Sequence, residues 1–178
     1  DLSQTLSRSF LSFLISILLA LILGVLAGLN RFIYNMMIPV TSILKSVPVI
    51  AIIVLTLIWM DSERAPVLIG IIVVFPILYD SVVEAMLNVD SKLIEMANLF
   101  SVRLKNIIKD IYIPTIYNYL SPVIGAALGL TMKTVIAGEV LGQPRYSIGG
   151  SLQLEKLYLN TAGVFAWIII IVLMATII

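Results

Sequence analysis

Long apolar runs broken by short charged patches set the pattern of this chain. Residues 9–30 hold 22 positions without a charge. A helix crosses the hydrocarbon core of a bilayer with about 20 apolar residues, so 10–29 predicts a first span. The next stretch, FIYNMMIPVTSILKSVPVIAIIVLTLIWM, is apolar but interrupted by Pro39, Lys45 and Pro48. It predicts a short interfacial helix up to Lys45 and a second span over 48–60. Pro48 falls in the first turn of that span, where a missing N–H costs little. DSER at 61–64 is a polar turn. A third span is expected over 65–83, kinked at Pro76. A charged segment fills 88–110. A fourth span is expected over 111–141, and a fifth starts near Thr161. Between these two, residues 142–160 read as a polar loop, with Gly149 and Gly150 as a tight turn.

Composition fixes the broad class. The chain is 61% hydrophobic and 12% charged, against about 25% charged residues in a soluble globular chain. That much apolar surface belongs in a membrane. The first apolar run is too long for a signal peptide, whose core holds about 7–15 residues. The start at Asp1 and the apolar end suggest a piece of a slightly longer chain, with an extra helix upstream. Neither Cys nor His occurs, so disulfides, thiol nucleophiles, imidazole bases and the usual zinc ligands are excluded, and no metal site is expected. A net charge of +1 gives no reason to expect nucleic acid.

Five spans place the 88–110 segment on the same side as Arg31. That side carries Arg31, Lys45, Lys92, Arg103, Lys105 and Lys109; the other carries Arg8, Arg64, Arg145 and Lys156. The excess of basic residues marks the first side as cytoplasmic. Trp59, Tyr158 and Trp167 then lie near the outer interface, as an aromatic belt would.

The stretch from Asp90 to Asp110 holds seven of the chain's charges. Asp90 or Ser91 suits a helix N-cap. Leu93, Met96, Ala97 and Phe100 follow at i, i+3, i+4 and i+7, one apolar helical face. Such a face packs on the membrane surface, on the chain's own helices, or in a partner's groove.

The spacing here resembles the cytoplasmic signature of ABC-importer permeases: Glu-Ala-Ala, three residues, Gly, nine residues, then Ile, any residue, Leu-Pro. This chain has Glu95, Met96 and Ala97, then Ser101, then Ile111, Tyr112, Ile113 and Pro114, without a gap. Met96, Ser101 and Ile113 depart from the pattern. Ser101 matters most, because Gly serves turns with positive φ. IPVTSILKSVPVIAIIVLTLIW and FPILYDSVVEAMLNVD also look like this family. GLTMKTVIAGEVLGQPRYSIGGSLQLEKLYLNTAGVFAW resembles its nitrate/sulfonate/taurine-type branch most, a pattern shared with thiamine-precursor permeases.

The resemblance implies an all-α integral membrane fold, a single permease domain over 1–178 with five core transmembrane helices. The loop at 90–110 would be a coupling helix. Leu93, Met96, Ala97 and Phe100 would fill a groove on a separate ATP-binding cassette subunit, and Glu95 would fix register. Ser101, Ile111 and Pro114 would shape the exit. It implies a bacterial plasma-membrane protein, a second permease copy, a lipid environment, and an extracytoplasmic substrate-binding protein. ATP and Mg would belong to the partner ATPase, because this chain has no GxxxxGK[ST] loop. The chain itself would not be an enzyme.

Ionisable residues inside spans are functional candidates by default. Lys133, deep in the fourth span, either faces a pathway and attracts an anion or holds the bundle together. Gly125 and Gly129 precede it in a GxxxG spacing that suits close helix packing. Glu139 lies near the outer end and suits a loop contact or snorkelling. Asp80 and Glu84, at i and i+4, suit either the pathway or a solvated, Lys- or Arg-paired inner mouth. Two other classes stay open: an ion- or proton-coupled transporter or channel using Lys133, Glu139 and Asp80, and a membrane scaffold that recruits a partner without transport.

Overall fold

The computed structural model describes residues 1–177, which are helical with no strand among them. The helices are α1 (Leu2–Leu29), α2 (Arg31–Ser46), α3 (Val49–Trp59), α4 (Ala65–Leu87), α5 (Ser91–Leu99), α6 (Leu104–Ile107), α7 (Ile113–Gly142), α8 (Ile148–Leu157) and α9 (Thr161–Ile177). A π turn, Ile108–Tyr112, joins α6 to α7 without a break. Pro114 has no N–H to offer the Asp110 carbonyl four residues back, and the π turn lies at that carbonyl.

All five apolar segments expected from the sequence are helices. Three stretches are long and apolar enough to cross a membrane alone: Leu2–Leu29, Ala65–Leu87 and Leu104–Gly142. The α2–α3 pair bends by 100° at Ser46 to Pro48, where a broken span or a re-entrant loop forms. α3 has 11 residues, about 16 Å of helix, roughly half a hydrocarbon core. α9 packs mainly on α8 and leaves Phe165, Ile169, Val172 and Leu173 exposed.

α1, α4 and α7 form the core, with α4 packed along both of the others. The reason is written in α1. Its buried face is Thr5, Ser9, Ser12, Ser16, Ala20, Gly24 and Ala27, small residues three or four apart. Without water, helix association depends on close packing and interhelical hydrogen bonds. A Cβ on Gly24 would sit 2.7 Å from Val82 Cγ1, and one on Gly70 2.9 Å from Ser12 Cβ. Ser12 Oγ lies 2.8 Å from the Arg8 carbonyl and 3.0 Å from the Val67 carbonyl, so its hydroxyl serves both α1 and α4. Val74, Leu78, Tyr79 and Val82 of α4 fill the space towards Phe13 and Ala20 of α1 and Leu120 and Ala127 of α7.

Among the described residues, an added Cβ on Gly125 or Gly129 would have no neighbour within 4 Å. The close-packed glycines are Gly24, Gly28, Gly70 and Gly138 instead. Gly149 and Gly150 do not make a tight turn; they open α8. Ser147 caps that helix, its Oγ accepting the Gly150 N–H at 2.9 Å. A Cβ on Gly149 would lie 2.7 Å from the Ile136 carbonyl, so α8 needs glycine to lie this close to α7.

Candidate functional site

The charged segment forms a short helix with defined stops at both ends. At its start, Asp90 Oδ1 accepts the Lys92 N–H at 2.9 Å. At its end, Ser101 takes φ +50°, the left-handed region. The Val102 N–H donates to the Ala97 carbonyl at 2.9 Å, and the Phe100 N–H to the Met96 carbonyl at 3.1 Å. The 102-to-97 bond is the six-to-one closure of a Schellman end, which places its left-handed residue at 101. Glycine takes that conformation freely, whereas serine takes it at a cost. The position that resembles the signature glycine is therefore one whose backbone asks for glycine.

Of the expected residues on α5, only Ala97 is buried. Leu93, Met96 and Phe100 are exposed, as is Glu95, and Leu99 joins them at 83% exposure. Lys92, Arg103, Lys105 and Lys109 are exposed around this ridge. Ile111 is half-buried and Pro114 exposed, in the first turn of α7. α5 packs closely on none of the core helices. The result is an apolar ridge with a charged rim and a fixed exit, a shape that fits a partner's groove.

The candidate charges inside the helices separate into paired and unpaired. Glu139 is fully buried. Its carboxylate accepts from Arg8 Nη1 at 2.8 Å, from Thr5 Oγ1 at 2.8 Å, and from the Gly149 N–H at 3.3 Å. Arg8 also pairs with Glu63 and donates to the Tyr146 carbonyl at 3.1 Å. Glu63 in turn accepts the Arg145 N–H at 2.9 Å. One guanidinium thus ties α1, the α3–α4 turn and the α7–α8 connection together. The loop contact expected for Glu139 is present, in a fully desolvated form.

Asp80 pairs with Lys45 across α4 and α2, both half-exposed. With Glu84, Tyr34, Thr41 and Tyr79 they line a recess of about 370 Å³ at the α5 end of the bundle. Lys133 is exposed on α7 and has no hydrogen-bond or ion-pair partner among the described residues. The structure does not bring Lys133 together with Glu139.

Arg8, Thr5 and Glu63 were not singled out by the sequence. A signal existed for Arg8: it lies inside the helix that runs on into the first apolar stretch, where a charge needs a partner.

A family model described as binding-protein-dependent transport system inner membrane component matches residues 16–178. A protein of Bacillus subtilis (strain 168), which carries the provisional name aliphatic sulfonates transport permease protein SsuC, is 27% identical over 165 residues. The match covers 92% of this chain and 59% of that protein, so the chain spans under two thirds of its relative's length.

Proposed function

Because the chain belongs to the family of binding-protein-dependent transport system inner membrane components, we propose that it is the permease subunit of an ATP-driven importer of a small solute. The observation that carries this reading is the exposed ridge of Leu93, Met96, Leu99 and Phe100, capped at Asp90 and closed at Ser101. A ridge held at a fixed angle transmits force; a loose loop does not.

In this reading α5 is a coupling helix on the cytoplasmic side. It docks on a separate ATPase subunit, which binds ATP and Mg. Closure of two ATPase subunits draws together the coupling helices of two permease copies and shifts the spans between inward- and outward-facing states. Each copy contributes five spans: α1, the bent α2–α3 pair, α4, α6–α7 and α9. A substrate-binding protein delivers the solute to the outer face, where α8 and residues 142–147 lie. The named relative points to aliphatic sulfonates as one solute class. An ion-coupled route has less support, because Glu139 and Asp80, two of its three candidate carriers, are already paired with Arg8 and Lys45.

The test is uptake and ATPase co-purification for Glu95→Arg and Phe100→Asp. Both side chains are exposed and away from the core, so helix content stays unchanged by circular dichroism. Each substitution is expected to lower uptake at least about tenfold, equivalent to the loss of one interface hot spot. Unchanged uptake in both would sink the coupling-helix role.

A further inference from the structure

We infer that the outward face of α7 is the wall of an anion passage, with the Lys133 ammonium as its binding group for a small oxyanion such as a sulfonate or carboxylate. This rests on the importer reading above and names its substrate class and one residue that meets it.

Lys133 lies nine residues before the end of α7 at Gly142, about 13 Å along the axis. It is exposed, and its ammonium has no partner among the described residues. Lysine is among the costliest side chains to place against lipid, and its four-carbon stem covers only part of that distance to the interface. The other charges near this end of the core, Arg8 and Glu139, neutralise each other. Of the two charges in α7, Glu139 is paired, and Lys133 has no counter-charge among the described residues.

The surface around it has the wrong composition for lipid. Asn118, Ser121, Pro122, Gly125 and Ala126 are exposed on the same broad side of α7, and Gly129 is half-exposed. Between Asn118 and Gly129 no large apolar side chain is exposed, although Tyr117, one turn before Ser121, is. The outward side of α1 is the reverse, with Phe10, Leu14, Leu18, Ile22 and Leu26 exposed. A strip of small and polar residues leading to an unpaired ammonium suits a watered passage. Where two copies face each other across it, two ammoniums of like charge repel, and an incoming anion relieves their repulsion. Lysine is a compact point charge, which suits a small oxyanion.

Because the chain has no Cys, a single engineered thiol reports on this passage without naming the transported solute. Ala126→Cys, two turns from Lys133, is treated in native membranes with an anionic and a cationic methanethiosulfonate reagent of similar size. Both are expected to label it, whereas Leu18→Cys on α1 stays unlabelled. The preference for the anionic reagent is expected to fall about tenfold when Lys133→Gln is added, as for the loss of one charge at this distance, and to persist with Lys133→Arg. An unchanged preference with Lys133→Gln overturns the inference, as does failure of charged reagents to reach Ala126→Cys. Co-purification of the ATPase is followed in the same preparations. ATPase present with no charge preference rejects the anion passage alone; charge preference with no ATPase rejects the importer reading alone.

Discussion

α1 and α7 both lie in the core, both pack on α4, and both turn a second side away from the bundle. Their outward sides differ in the size of the residues they carry. α1 buries its small side, Ser12, Ser16, Ala20 and Gly24, and turns Phe10, Leu18 and Ile22 outward. α7 buries bulky and small residues alike, Leu120, Met132, Val135 and Ile136 beside Ala127, Thr131, Thr134 and Gly138, and turns Ser121, Gly125 and Ala126 outward, with Lys133. Both are apolar enough to mark as spans, α1 by the wider margin, but hydropathy does not say which side of a helix faces out. What differs is where the bulk goes. Lipid tails are met by large apolar side chains, and neighbouring backbones by small ones. α1 is thus finished on its outward side by lipid, whereas α7 still lacks a neighbour there or stands against water.

The contrast breaks most sharply with a charge. Leu18→Lys on the outward side of α1 is expected to cost about 3 kcal/mol of membrane insertion, read as the inserted fraction of chain. Ala126→Lys on α7 is expected to cost much less; equal penalties would mean that both sides meet lipid. A smaller effect separates buried from open glycine. Gly24→Ala drives a methyl towards Val82, and a loss of about 1–3 kcal/mol is expected in thermal unfolding of the detergent-solubilised chain. Gly125→Ala meets nothing within 4 Å and is expected to leave the melting temperature unchanged. If Gly125→Ala melts as early as Gly24→Ala, the open side of α7 is not open. The smallest effect is Ile22→Ala, expected within about 0.5 kcal/mol of the parent, as for a surface site. A loss comparable to a core truncation would place a protein neighbour on α1.

What the sequence made legible follows the range of each signal. Local patterns held. Pro48 marked the break between α2 and α3, Asp90 marked the start of α5, and the nine-residue gap from Ser101 to Ile111 placed a turn that needs positive φ at Ser101. Each depends on residues within a few turns. The GxxxG pair at Gly125 and Gly129 shows that a helix has a thin side, not which way the side faces, and among the described residues that side meets no neighbour. The same spacing in α1 went unread among Ser, Ala and Gly. The position of Glu139 near a helix end suits a loop contact or snorkelling, while its partner Arg8 stands 131 positions back. No periodicity reaches that far. The glycines of α8 read as a turn in the sequence, whereas their need is for closeness to α7, which only the packed structure reveals.

The Arg8–Glu139 contact also bears on how the chain is made. Arg8 emerges with the first helix, and its partner is not synthesised until 131 residues later. At about 5–20 residues per second, that gap lasts on the order of ten seconds. For that interval the guanidinium has at most Glu63, its half-exposed partner made 55 residues on, and lacks the buried carboxylate of Glu139. The settling of α1 into its final place therefore waits on the arrival of α7, and it belongs among the late events of biogenesis although α1 is made well before α7.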